Sequence, residues 1–150
     1  MNFKKLTSFL IICISLMCAS CQHIQPPSQE NTRNLDKDNL ILMVNMTTNT
    51  AYLDKISSFT DEFADYFLKN EPATLSYNFY FSEDKKNVTL IEIYKNEEAA
   101  LLHINNLSNH PMFQEFVNAL SFQNISVYGP ISDNLKKSEF MKSLKPTYKD

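Results

Sequence analysis

Residues 75–94 read LSYNFYFSEDKKNVTLIEIY. Leu75, Tyr77, Phe79 and Phe81 alternate with Ser76, Asn78 and Tyr80, the two-residue period of a half-buried strand. Residues 82–87 are polar and predict a turn, and 88–94 return as a second strand, so the stretch reads as an antiparallel hairpin. On the return strand Val88, Leu90, Glu92 and Tyr94 share one face, and Thr89, Ile91 and Ile93 share the other. Glu92 is therefore a carboxylate set mid-strand among apolar neighbours. Burying an ion there is costly unless it is paired or hydrogen-bonded, so Glu92 requires a partner.

On both sides of the hairpin the period changes. Upstream, residues 51–68 place Leu53, Ile56, Phe59, Phe63 and Phe67 at spacings of three and four, with Asp54, Asp61, Glu62 and Asp65 on the opposite side. That predicts an amphipathic helix, with Phe59, Phe63, Tyr66 and Phe67 as an aromatic stripe suited to the core. Asn49 or Thr50 can cap it, and Asn70-Glu71-Pro72 ends it, because the residue before a proline disfavours helical geometry. Before it, residues 40–46 (LILMVNM) are an apolar run fit for a buried strand. Downstream, Asn96 caps a helix through 107 that carries Glu97 and Glu98 in its first turn, where negative charge suits the helix dipole. Pro111 starts a further helix over 112–120. Residues 122–128 form a fourth strand closed by Gly129-Pro130, and residues 131–150 predict a short helix and a frayed end. The order strand, helix, strand, strand, helix, strand predicts an α+β, ferredoxin-like fold, a four-stranded antiparallel sheet with helices on one face. The other face also carries apolar residues, which predicts a homodimer closed through it.

The chain has 150 residues, a formal net charge of −3, three cysteines and one glycine, Gly129. One glycine excludes the dinucleotide and phosphate loops, which need several, and the G-x-S-x-G nucleophile elbow. The cysteines are Cys13, Cys18 and Cys21, so nothing after position 21 forms an internal disulfide or a thiolate metal site. A mildly acidic balance without tryptophan argues against nucleic acid as a partner. His103 and His110 stand seven residues apart with no HExxH pattern and no carboxylate at ligand spacing, so no metal site is expected. His103 and His110, with Glu92, are the candidate acid–base groups near apolar surroundings.

Residues 1–20 (MNFKKLTSFLIICISLMCAS) begin with a basic pair, Lys4-Lys5, and continue as an apolar run too short to span a bilayer, the pattern of a signal peptide. Cys18-Ala19-Ser20-Cys21 resembles a bacterial lipoprotein lipobox, with Cys18 where Leu is usual, and the resemblance implies lipidation of Cys21. Acyl chains on Cys21 would anchor the protein to a membrane. Residues 22–38 lack apolar periodicity and include Pro26-Pro27, so 21–39 read as a lipidated end and tether. Gln22, in place of the aspartate associated with inner-membrane retention, implies a cell-envelope location at the outer membrane, facing the periplasm.

Within 40–130 an ordered series of motifs resembles the antibiotic biosynthesis monooxygenase (ABM) domain family. These are Glu71-Pro72-Ala73-Thr74-Leu75-Ser76-Tyr77, Ser82-Glu83-Asp84, Leu90-Ile91-Glu92-Ile93-Tyr94, Glu97-Glu98-Ala99 with His103, and Tyr128-Gly129-Pro130. Two positions depart from it: Ala73 stands where a glycine is common, and there is no tryptophan near Tyr94 of the kind found in the haem-degrading branch. The resemblance implies a dimeric α/β-barrel type of ferredoxin-like fold. It also implies oxygenase chemistry without metal or flavin on quinols or polyketide aromatics, so no cofactor is expected. A base and an apolar pocket suffice for such chemistry. His103 and Glu92 are the candidate catalytic residues, and Asn45 and Tyr94 the candidates for orienting a small apolar or aromatic substrate. The alternative is a non-catalytic lipoprotein of the same fold that binds an apolar ligand or a protein partner.

Overall fold

The computed structural model describes residues 35–149; the expected signal peptide, Cys21 and the expected tether up to residue 34 lie outside the described residues. Residues 35–150 form a compact unit of their own. The chain runs through β1 (Leu40–Thr48), α1 (Ile56–Asn70), β2 (Thr74–Phe81), β3 (Asn87–Tyr94), α2 (Glu97–Asn109), α3 (Phe113–Ala119) and β4 (Leu120–Tyr128). It ends with two short helices, α4 (Asp133–Lys137) and α5 (Glu139–Leu144), and a three-residue strand, β5 (Thr147–Lys149). The sheet order is β2-β3-β1-β4-β5. The first four strands pair antiparallel, and β5 pairs parallel to β4. The ferredoxin-like α+β arrangement is present, with a fifth strand where the sequence suggested a frayed end.

Strand parity divides the sheet into two faces. Leu40, Leu42, Val44 and Met46 of β1 and Val88, Leu90, Glu92 and Tyr94 of β3 are buried beneath the helices. Ile41, Met43 and Asn45, with Thr89, Ile91 and Ile93, are half-buried on the other face. There Thr89 Oγ1 donates to Asn45 Oδ1 at 2.8 Å, and Asn45 Nδ2 donates to Asn124 Oδ1 at 2.8 Å, so a polar chain links three strands.

The helix face is filled by aromatic rings. Phe63 stacks on Phe116 of α3 at 4.7 Å and meets Phe67 edge-on at 5.1 Å. Phe59, Phe63 and Phe67 are core, as the stripe implied, whereas Tyr66 is exposed with its ring 4.3 Å from His110. α1 starts at Ile56, five residues later than the apolar spacing suggested. Asn49 explains the delay. Its side chain accepts from Ala51 N–H and caps a single 3-10 turn, Thr50–Tyr52, while its amide donates to the Asn118 carbonyl and pins the turn to the end of α3.

Among the described residues three positions of this glycine-poor chain have positive φ: Lys85, Gly129 and Lys145, the left-handed C-cap of α5 at φ 48°. The hairpin turn sets Lys85 at φ 57°, stabilised by Asp84, which accepts from Ser82 Oγ and Lys86 N–H. Gly129 has φ 113°, and a Cβ there would collide with the Asn39 carbonyl oxygen. Ala73, where the resemblance led a glycine to be expected, avoids positive φ. Gly129→Ala therefore combines backbone strain of about 1–3 kcal/mol with a clash against immovable main chain. The variant is expected to melt at least several degrees below wild type by circular dichroism, whereas Lys85→Gly is expected to melt no lower than wild type.

Candidate functional site

The buried polar groups of the helix face gather at one point. Glu71 ends α1 as its C-cap and is 3% exposed, an unusual place for a carboxylate, since the helix C-terminus is the negative end of the dipole. Three donors hold it. Thr74 Oγ1 donates to Oε2 at 2.9 Å, His103 Nδ1 meets the same oxygen at 2.9 Å, and Asn106 Nδ2 donates to Oε1 at 2.9 Å. Thr74 reaches Glu71 because Leu75 is a bulge residue opposite β3, which turns Thr74 onto the helix face with Tyr77. The same bulge leaves Leu75 only half-buried, although the alternation placed it with Tyr77. His103 and Asn106 lie three residues apart on α2, so both project to the same side.

Burial pushes the Glu71 carboxyl up, but the hydrogen bonds from His103 and Asn106, the His103 charge and the Thr74 bond together outweigh it, and the acidity is held below the usual carboxylate range. An ionised carboxylate only accepts, so His103 donates its Nδ1–H to Glu71, and Nε2 offers a lone pair whenever the ring is neutral. Nε2 is buried and has no hydrogen-bond partner among the described residues, and neither has the Tyr77 hydroxyl. Both residues line a cavity of about 20 Å³, with Glu92, Leu42, Val44 and Leu90 from the sheet and Phe140, Met141 and Leu144 from α5 closing one side. That volume holds about one water molecule.

Glu92, the mid-strand carboxylate, is 5% exposed and accepts from the Tyr94 hydroxyl at 2.8 Å. Burial raises its pKa, only partly offset by the His103 charge and the Tyr94 bond, while Glu71 adds to the rise. Burial likewise raises Tyr77 and Tyr94 well above the ordinary phenol range, helped by the Glu92 charge. The two glutamates are thus driven apart, Glu71 towards the ion and Glu92 towards the acid, the pattern that separates base and acid roles in an apolar site.

Of the sequence candidates, His103, Glu92 and Tyr94 come together. Asn45 does not: it is on the opposite face of β1, bonded to Thr89 and Asn124, because strand parity sends it away from Leu42 and Val44. His110 stands apart from the cavity; its Nδ1 accepts from Met112 N–H at 3.2 Å and its ring meets Phe63 and Tyr66. Glu71, Asn106 and Tyr77 join the site without having been singled out. Glu71 carried a signal in being an acidic residue at a helix C-terminus directly before a proline. Among the described residues, no group of three or more His, Cys, Asp or Glu side chains is arranged to hold a metal ion, and no helix is long and apolar enough to cross a membrane.

No family model matches the sequence, and no curated protein matches it. Solved structures do. MupZ from Pseudomonas fluorescens is 21% identical, with a TM-score of 0.62 over 73% of this chain and 87% of that one. The chain shares the MupZ fold. The protein YJCS is 13% identical, with a TM-score of 0.50 over 63% of this chain and 99% of that one. A Bacteroides thetaiotaomicron protein that bears the antibiotic biosynthesis monooxygenase name is 18% identical, with a TM-score of 0.49 over 65% of this chain and 91% of that one.

The opposed shifts of Glu71 and Glu92 make stability depend on pH in two directions. The Glu71 shift contributes stability that is present above the ordinary carboxylate range and lost as pH falls through its lowered value; the Glu92 shift favours the fold at low pH and is lost as pH rises through its raised value. In melts from about pH 3 to about pH 8, Glu92→Gln is expected to gain on wild type as pH rises. Glu71→Ala strands His103 and Asn106 and is expected to cost about 3 kcal/mol at neutral pH.

Proposed function

We propose that the chain is a membrane-anchored ABM-type lipoprotein whose helix-face cavity performs base-initiated, cofactor-independent monooxygenation of a small aromatic or quinol-like substrate. The observation that carries the reading is the buried Glu71–His103 pair, with Nε2 of His103 unpartnered at a cavity also lined by Glu92 and Tyr77. Glu71 fixes the tautomer and orientation of the ring, as an orienting carboxylate does for a general base. His103 removes a proton from an activated carbon or hydroxyl, and the resulting anion passes electrons to O₂ directly. For a methylene flanked by an aromatic ring the balance is CH₂ plus O₂ giving C=O plus H₂O, with one oxygen atom retained and the substrate the only reductant. Tyr77 lines the same cavity as a donor to the developing oxyanion, and Glu92, whose pKa burial raises, adds a second donor when it holds a proton.

The test is oxygen uptake with a panel of quinols and acidic-methylene aromatic ketones. His103→Ala is expected to lower kcat/KM by about 100-fold or more. Activity unchanged in both His103→Ala and Glu92→Ala would remove these residues from the mechanism. The second reading is a non-catalytic binder of apolar ligands or of a protein partner; with room for about one water molecule, the cavity must widen before a ring enters it under either reading. Saturable quenching of tyrosine fluorescence by such compounds, without oxygen uptake, would select it.

The same reading includes a homodimer closed through the open face of the sheet, where Ile41, Met43, Ile91 and Ile93 are half-buried around the Asn45 chain of hydrogen bonds. Residues 35–150 are expected to sediment as a dimer at micromolar concentration and Ile91→Lys as a monomer. A wild-type monomer refutes the interface.

A further inference from the structure

The end of the chain closes the cavity without being fastened to it. Phe140, Met141 and Leu144 of α5 form one wall of the space that His103 and Tyr77 also line. Among the described residues, α5 makes no side-chain hydrogen bond or ion pair to another element. Met141 N–H donates to Ser138 Oγ, Lys142 pairs with Glu139 at 2.8 Å, and Ser143 Oγ donates to the Phe140 carbonyl. Apolar contact alone holds the helix down, chiefly through the fully buried Met141. α4 is fixed more firmly. Leu135 is fully buried, and Ser132, the cap of α4, donates its N–H and its hydroxyl to Glu97 at the start of α2. The two helices meet at Ser138, the C-cap of α4 and the N-cap of α5. Beyond α5, Lys145 is left-handed at φ 48°, a strained position for a residue with a side chain, and Pro146 follows. β5 then pairs with only Ser126, Val127 and Tyr128, with the Lys149 ammonium over the Tyr128 ring and Tyr148 against the core.

We propose that α5 and β5 form a flap, hinged at Ser138 and latched by β5, over a latent binding site for an uncharged aromatic molecule. The inference rests on the cavity being the ligand site, as read above, and adds how a ligand enters. The closed space holds about one water molecule, so no ring fits until a wall moves. The sheet does not supply that movement, because its strands are joined by their ladders. Neither does α2, whose His103 and Asn106 are bonded to Glu71, nor α3, whose Phe116 is stacked on Phe63. Lifting α5 breaks no polar contact except the short pairing of β5. What it uncovers is apolar, and a ring entering beneath it covers Phe140, Met141 and Leu144 again. Met141, unbranched and flexible, suits such repacking. The chemistry of the lining sets the ligand class. No lysine or arginine borders the cavity to answer an anion, and Glu92 is there to repel one. The unpartnered His103 Nε2 and Tyr77 hydroxyl call for a single hydroxyl or N–H on an otherwise apolar molecule. The closed form then predominates without ligand, and the ligand selects the open one.

Residues 35–150 contain no cysteine, so Ser126→Cys combined with Thr147→Cys, two residues paired across β4 and β5, adds a single disulfide that fastens the latch. The probe is 1-naphthol, and the readout is tyrosine emission, since the chain has no tryptophan. The reduced variant is expected to bind naphthol at the wild-type rate. The oxidised form is expected to associate at least about tenfold more slowly and to recover on reduction. Hydrogen exchange without ligand gives a second measure: the amides of residues 139–149 are expected to exchange faster than those of β1, and to slow when the disulfide closes. Equal association in the oxidised and reduced forms, no naphthol binding by the reduced form, or α5 amides protected as long as those of β1 would each overturn the flap. Its failure is separable from that of the chemistry. Oxygen uptake that the disulfide leaves unchanged removes the flap and keeps the oxygenase reading, whereas a flap that opens and binds naphthol, with no uptake on any quinol, does the reverse.

Discussion

A carboxylate at the negative end of a helix, out of water, survives only if its charge is answered locally. Glu71 is answered by Thr74, His103 and Asn106, and each answer constrains a different part of the molecule. Thr74 reaches it through a bulge that sets the register of β2 on β3. His103 and Asn106 fix the rotation of α2 over the sheet. The hydrogen bonds that make Glu71 tolerable therefore join α1, β2 and α2 at one corner, and they leave the far nitrogen of the His103 ring facing the cavity. Structural need and chemical opportunity come from the same pair: a core that must satisfy a buried ion ends up presenting an oriented imidazole.

Most of the architecture was legible because it rests on periodicity. The alternation in β2 and β3, the three-and-four spacing of Ile56, Phe59, Phe63 and Phe67, and the Asn96 cap each encode a local geometry that the rest of the fold reinforces. Where the reading slipped, a longer-range bond had won. Asn49 was recognised as a cap, but its amide is bound to the far end of α3, which delays the helix behind a 3-10 turn. Lys149 and its neighbours looked like an end without structure because a three-residue strand has no period to detect, and its pairing with β4 is set wholly by the partner.

The site was legible in part for the same reasons. His103, Glu92 and Tyr94 could be placed together, since a carboxylate on the apolar face of a strand points at whatever helix covers it. Asn45 could have been excluded by parity, because it alternates with Val44 and Met46, which belong to the covered face. Glu71 was harder. In sequence it is a residue before a proline, and only the fold shows that the helix end it occupies is turned inward over α2. Tyr77 was placed only on one face of an alternating strand, and its hydroxyl gained meaning beside His103 and Glu92.

The short strand at the end of the chain also alters what this sheet can do with its own kind. A sheet with two long free margins invites further strands on either side, which is how ordered aggregates grow. Here the margin at β4 is occupied by three residues of the same polypeptide, preceded by Lys145 and Pro146 and ending on Lys149. A ribbon so brief, bordered by a proline that lacks an N–H and by repelling ammonium groups, is a poor template for a neighbour. Strand addition from that side is disfavoured, so these few residues guard the sheet against other copies of itself.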